Sequence, residues 1–328
     1  MNLATLQPRA ERAPLLRLPS DFEALADTRA NRRAARAVLA EHGAASLLTL
    51  PEAQPKLGKS AAYSVGLSLA PADVSGIEVC PGRGECAGPC VLGPRAGLSA
   101  ALGGVASTII RARIGRTRAL AAAPQLIASA ILWKLADVAR GIDGPVAVRL
   151  NVGSDLPWED CGSFLASMRR IRTASGAPLR GYDYTKMPGR IGPNGYAAPG
   201  YRLCYSVSER SDPARVARML DSGACVALVV SGLRARFNAA AYRDLPIPTA
   251  VRIDGREFPT IDGDRSDDRG RDRRGHVVVL RGKSGAEPID VGGCAVGRDG
   301  GRFALRADSA ALIYRRPLAE SIRLAFAK

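Results

Sequence analysis

The chain has 328 residues, 46% of them hydrophobic, with 47 Lys and Arg against 31 Asp and Glu, for a formal net charge of +16. This excludes wholesale disorder and allows one large domain or two small ones, with a core that needs no disulfides. No apolar run reaches the ~18 residues of a membrane span, the N-terminus lacks an export pattern, and two histidines are too few for a His-rich metal site.

Residues 1–19 mix prolines and charges without periodicity and read as a mobile arm. Ser20-Asp21-Phe22-Glu23 has the form of a capping box, so a helix is expected from there to Gly43. Arg29, Arg32, Arg33 and Arg36 recur along it at helical spacing and make a basic face, either solvated or in contact with phosphates. Residues 45–79, rich in Ser, Pro and Ala, lead into a cysteine segment. Residues 105–140 read as two helices broken at Pro124, the first carrying Arg111, Arg113, Arg116 and Arg118.

Beyond residue 145 short strands alternate with helices. Strands are expected at 146–150, 181–184, 201–207, 225–230, 249–253 and 277–280, and helices at 163–172 and from Asp212-Pro213 to Gly223. The alternation implies an α/β fold with a parallel sheet, either a (β/α) barrel-like or partial barrel or an open doubly wound sheet. In either, chemistry belongs beyond the C-terminal strand ends. The expected divisions are an N-terminal arm and helix over 1–55, one α/β barrel-like domain over 56–310 that contains the cysteine loop, and a C-terminal segment over 311–328.

Cys80-Pro-Gly-Arg-Gly-Glu-Cys86-Ala-Gly-Pro-Cys90 places three thiols in eleven residues, in a loop of glycines and prolines. Such a loop can curl so that its sulfurs converge, and the absence of an export pattern argues for a compartment that keeps thiols reduced. Three thiolates suit a [4Fe–4S] cluster with one open iron, or a zinc that needs one more ligand. With so few histidines, that ligand would be Cys161, Cys204, Cys225, Cys294 or an exogenous molecule. The bland alternative is three ordinary cysteines in a loop.

Three strands end in polar groups. Asp155 follows the first, Tyr184 and Lys186 end the second, and Ser206 ends the third, which suggests one shared pocket. Asp155 is a candidate acid/base or a helix cap. Alternation points Asp183 away from Tyr182 and Tyr184. Asp262, Asp264, Asp267 and Asp268, with five arginines around them, read as a self-neutralising exposed loop.

The cysteine segment, Val148-Arg-Leu-Asn-Val-Gly-Ser-Asp155-Leu, Tyr182-Asp-Tyr-Thr-Lys186 and Arg202-Leu-Cys-Tyr-Ser-Val-Ser208 together resemble the phage "gene product 88" family, in the same order and over roughly residues 56–285. In outline that family is similar to radical S-adenosylmethionine proteins. The resemblance implies a cluster on Cys80, Cys86 and Cys90 whose open iron binds S-adenosylmethionine. The spacing C-x5-C-x3-C departs from the C-x3-C-x2-C of most such enzymes. Pro89 and Val91 stand where an aromatic residue is usual beside the last cysteine, and no Gly-Gly-Glu segment is evident.

The leading expectation is a phage- or prophage-type protein of the host cytoplasm, without membrane association. It would carry an Fe–S or zinc site on Cys80, Cys86 and Cys90, and Asp155, Tyr184, Lys186 and Ser206 would line a pocket for a nucleotide or nucleic acid. The alternatives are a non-catalytic nucleic-acid-binding protein with a structural metal, and a zinc enzyme using Asp155 and Asp183.

Overall fold

The computed structural model describes residues 13–53, 57–87, 90, 92, 103–231, 233–236, 242–282, 304–306 and 311–313. The helices are α1 (Arg29–Glu41), α2 (Ala72–Ser75), α3 (Gly103–Ala122), α4 (Pro124–Arg140), α5 (Phe164–Arg170) and α6 (Pro213–Asp221). Pro124 and Pro213 both stand at the start of a helix, where a missing N–H costs nothing. Asp212 caps α6 by accepting from Arg215 N. Ile127, Ile131, Leu135 and Ala139, four residues apart, make the buried stripe of α4.

The main sheet contains β1 (Tyr63–Gly66), β2 (Val146–Arg149), β3 (Arg180–Thr185), β4 (Tyr196–Ala198), β5 (Tyr201–Ser206), β6 (Cys225–Ser231), β9 (Ala250–Ile253), β10 (Arg256–Asp262), β11 (Val277–Arg281), β12 (Ala304–Arg306) and β13 (Leu312–Ile313). A separate two-stranded sheet pairs β7 (Arg234–Arg236) with β8 (Tyr242–Asp244). The main path runs β1-β2-β3-β5-β6-β11-β10-β9-β13 and is parallel from β1 to β10. Antiparallel β4, β9 and β13 lie at its margins. The short β12 pairs with the C-terminal half of β6. Among the described residues the two ends of this path do not pair.

The first five parallel strands lie side by side in chain order. Right-handed crossovers between such neighbours put every connection on one face, and the core obeys this. Val65, Val146, Val148, Tyr201 and Leu203 pack with α1, α3, α4 and α5, while Val226, Leu228, Val277 and Val279 pack with α6. The opposite face carries Tyr182, Cys204, Cys225, Ala227 and Val278, with Tyr184 packed against them. No helix covers that face among the described residues. Residues 263–276, which join β10 to β11, lie against it.

Three expectations are corrected. The helix starts at Arg29, capped by Thr28, and not at Ser20. Residues 20–28 form an extended strap instead, because Phe22 is more valuable wedged against Phe164 in the core (ring centroids 5.6 Å apart), while its carbonyl takes the Ser163 N–H. The described part of the arm is docked as well, since Leu16 is buried and Leu15 bridges Glu78; residues 1–12 lie outside the described residues. Finally, the middle of the acidic loop is interior, while Arg265, Arg271, Arg273 and Arg274 are exposed as expected. Asp267, Asp268 and Arg269 are 0%, 3% and 2% exposed, because the two carboxylates pair with Arg149 and Arg180 of the sheet and Arg269 pairs with Asp272 of the same loop.

Candidate functional site

The chain leaves β1 and crosses the ends of its neighbours before it reaches the cysteines. Leu67 N donates to Arg149 O, and Asp155 N donates to Val79 O at 2.8 Å, so the approach to Cys80 is stitched to the segment after β2. Glu78 organises the entry. Its backbone pairs with Pro14 and Leu16, one carboxylate oxygen accepts from Cys80 N at 2.7 Å, and the other holds the Arg83 guanidinium at 2.7 Å. Arg83 also reaches Asp73 at 3.0 Å.

The loop then rests on the strand ends. A methyl group added at Gly82 would stand 3.2 Å from Asp155 Oδ2 and 3.3 Å from Lys186 Cβ, tight contacts that a glycine avoids. Gly84 lies in the same way against the Glu209 carboxylate. Cys80 Sγ is 3.7 Å from Gly153 O.

Under the loop, the ends of β2, β3 and β5 share one set of polar contacts. Asp155 Oδ2 accepts from Lys186 N at 2.9 Å, and its Oδ1 pairs with Arg190. Arg190 also grips Glu159 through two hydrogen bonds of 2.5 and 2.9 Å and donates to Leu156 O. Lys186 Nζ donates to Ser206 Oγ at 3.2 Å and to Val207 O at 3.4 Å. Burial pushes the Asp155 carboxyl up, against the pull of Arg190 and of the Lys186 N–H. Asp155, Lys186 and Ser206, expected from separate strand ends, thus meet. Tyr184 stands lower on the helix-free face, its ring 4.9 Å beneath the Arg149 guanidinium and its buried hydroxyl without a hydrogen bond.

Asp183 points to the other face, as alternation requires. It is fully buried and accepts from Leu150 N (3.0 Å), Asn151 N (2.8 Å) and Tyr201 OH (2.7 Å). It therefore ties the end of β2 to β3 and β5 rather than facing the pocket. Burial is the largest influence on it and pushes its pKa up to about 7, against the opposing effects of Arg149 and its hydrogen-bond donors. Arg190 and Glu159 were missed from sequence. Their signal was Glu159 four residues after Asp155, two carboxylates awaiting one cation.

The thiols of Cys86 and Cys90 are close enough to Cys80 that their charges oppose its ionisation. Burial raises Cys80 most, followed by Asp155, Glu78, Cys90 and Cys86. Burial lowers the pKa of half-buried Arg113 on α3, and its nearness to Cys90 opposes this. Among the described residues, no three His, Cys, Asp or Glu side chains gather closely enough to hold an ion as they stand. Cys161 is buried in the main core, Cys204 and Cys225 lie side by side on the helix-free face, and Cys294 is outside the described residues. Asp155 and Glu78 are thus the carboxylates that act on the Cys80 thiol, and the scattered cysteines do not. Arg116 on α3 belongs to no surface patch. It is buried and donates to Ser46 O (2.7 Å) and Ser46 Oγ (2.8 Å), with Thr49 Oγ1 and Ser68 O beyond.

A family model described as Gene product 88 matches residues 27–306, which takes in the cysteine loop and all strands from β1 to β12. No curated protein and no solved structure matches the chain.

Proposed function

The chain belongs to the Gene product 88 family of phage proteins, and from that premise we propose that it is a metal-dependent enzyme acting on a nucleotide or nucleic acid. Cys80, Cys86 and Cys90 hold the metal in this reading, and Asp155, Lys186 and Ser206 line the substrate pocket with Tyr184 at its base. The observation that carries the proposal is the seating of the cysteine loop on the strand ends, with Gly82 against Asp155 and Lys186. We read the sheet as a partial barrel, and the host cytoplasm as the place where its thiols stay reduced.

The donor set fits a soft cation. Three thiols share one loop, carboxylates crowd the first of them, and a positive centre there would relieve all of these charges together. The thiols must still draw in around the metal. A [4Fe–4S] cluster spreads its ligands over separate irons and asks for less convergence than one tetrahedral zinc, so we favour the cluster. When bound, it would supply an open iron for a small molecule with nitrogen and oxygen donors, of which S-adenosylmethionine is one. The chain's own groups would do the rest. Lys186 has three N–H donors and spends two on Ser206 and Val207, which leaves one for an anionic substrate group. Arg190 holds Asp155 in orientation, and Asp155 would hold or move a proton at Oδ2.

Anaerobic purification with iron, sulfide and zinc analysis tests the proposal. About four irons and four sulfides per chain, or one zinc, should be present. They should be lost in Cys80→Ser, Cys86→Ser and Cys90→Ser and retained in Cys161→Ser. A folded, metal-free protein with three reactive thiols, or metal that survives all three loop substitutions, would overturn it.

One observation favours a second reading, a nucleic-acid-binding protein whose metal is structural. Arg29, Arg33 and Arg36 form an exposed stripe on α1 whose side chains have no carboxylate partner among the described residues. Arg29 sits in the first turn, where the helix dipole disfavours positive charge. Binding to DNA or RNA through that stripe would weaken steeply with salt.

A further inference from the structure

The helix-free face of the sheet is lined with hydrogen-bond donors, and the loop that covers it supplies their acceptors. On β2 and β3, Arg149, Arg180, Tyr182 and Tyr184 share that face. Arg149 Nη1 donates to Asp267 Oδ2 at 2.7 Å, and Tyr182 OH reaches the same oxygen at 3.3 Å. Arg180 pairs with Asp268. Every hydrogen bond from these two guanidiniums to a carboxylate goes to residues 267 and 268 of the covering loop.

The covering is incomplete in its chemistry. Tyr184 OH, Arg149 Nε and Arg180 Nε are shielded from solvent and make no hydrogen bond; Arg149 Nε lies 3.8 Å from Asp183 Oδ1. Arg149 itself is only 8% exposed. A buried donor left unpaired is destabilising, so three together are a poor way to finish a static core. They are suited to an anion with more acceptor oxygens than a carboxylate offers.

The loop has little regular structure of its own, and beyond Asp267 and Asp268 it is also tied by Arg202 Nη1 to Asp272 O (2.8 Å), Cys225 Sγ to Arg273 O (3.1 Å) and Arg281 N to Asp264 Oδ2 (2.9 Å). Between Asp262 and Val277 it contains a single 3-10 turn, Arg269–Arg271, and no strand. Gly263 and Gly275 bracket it, and Gly275 has φ of +66°. Its buried cation, Arg269, is 3.0 Å from Asp272 of the same loop and so carries its own counter-ion.

We propose that the helix-free face is a binding site for the oxyanion group of a small ligand, seated on Arg149, Arg180, Tyr182 and Tyr184, and that residues 263–276 occupy it in the free protein through the Asp267 and Asp268 carboxylates. The site needs no metal, although it shares Tyr184 with the base of the pocket proposed above, and its occupant is displaced rather than lost, since the loop stays tethered at both strands.

Hydrogen exchange of the full chain, with and without inorganic pyrophosphate, tests this. In the free protein the amides of 264–275 should exchange at least about 100-fold faster than those of β6 and β11, through local opening. Pyrophosphate should change their rate while leaving β6 unchanged. Calorimetry should give a Kd below about 1 mM, weakened at least tenfold in Arg149→Gln and tightened in Asp267→Asn, which removes the competing charge. Citrate in a parallel arm separates phosphate from carboxylate recognition, and a response to either supports the site. Loop amides as protected as β6 and indifferent to both anions would overturn the proposal, as would pyrophosphate binding that Arg149→Gln leaves intact. The exchange arm needs only the unaltered protein, and metal content should be the same in either outcome.

Discussion

Asp183→Asn is the sharpest single perturbation of the framework under the site. The carboxylate accepts three hydrogen bonds, one oxygen taking Asn151 N and the other taking Leu150 N and Tyr201 OH. An amide has one oxygen, so in either orientation its NH2 faces a backbone N–H. Against the ionised carboxylate, above about pH 7, one buried N–H is orphaned and one hydrogen bond lost, at about 3 kcal/mol together. For a chain of this size that lowers Tm by about 4 °C. Tyr201→Phe removes one donor and leaves both backbone bonds, so it should cost only about 1 kcal/mol. The pH dependence adds a second readout. Asp183 holds its proton to about pH 7 when folded and loses it near 3.9 when unfolded. The folded state therefore binds more protons in that window, and the stability this contributes is full below about pH 4 and is lost as pH rises through 7. Melts from pH 4 to 8 should show this decline in the wild type and a shallower one in Asp183→Asn. A variant that melts within about a degree of wild type and keeps the same slope would refute the reasoning.

Arg190→Met strips the one guanidinium between Asp155 and Glu159 and should cost about 3–5 kcal/mol near neutral pH by chemical denaturation. The cost should narrow toward acid, where the orphaned Asp155 can take a proton instead of a partner. Gly115→Ala puts a methyl 2.5 Å from His42 O and 2.8 Å from Ala44 N, backbone atoms that cannot yield, and should lose about 1–3 kcal/mol. Arg29→Gln, Arg33→Gln and Arg36→Gln combined should leave the thermal melt nearly unchanged, and filter binding should show any affinity for DNA falling with its salt slope reduced by about 2.7.

Punctuation made much of the fold legible. Proline at 124 and 213 and glycine at 43 and 223 mark helix ends in any context, and the Val-rich strands at 146, 225 and 277 are recognisable because they are buried on both faces. The meeting of Asp155, Lys186 and Ser206 followed from strand ends alone. What escaped was tertiary. Ser20 to Glu23 satisfies the local rule for a helix start, but the rule cannot weigh Phe22 against a pocket beside Phe164, 142 residues further on. The run from Asp262 to Arg274 looks solvated because every charge has a neighbour of opposite sign. The interior place of Asp267 and Asp268 depends on Arg149 and Arg180, which no local window contains. Arg190 carried no mark of its own beyond a turn.

The position of β11 bears on how the chain assembles. It is made after β10, yet it lies between β10 and β6, pairing five residues with one and three with the other. The emerging chain can add β2, β3, β5 and β6 to the growing edge in order, but the β9–β10 hairpin must then wait unattached. Only when β11 zips into the gap does the hairpin join. The crossover that leads into β11 is the segment that fills the helix-free face, so packing that face and locking the last strands are one late event. Truncation ahead of Val277 would strand the hairpin and leave the edge of β6 bare, an open template for another chain.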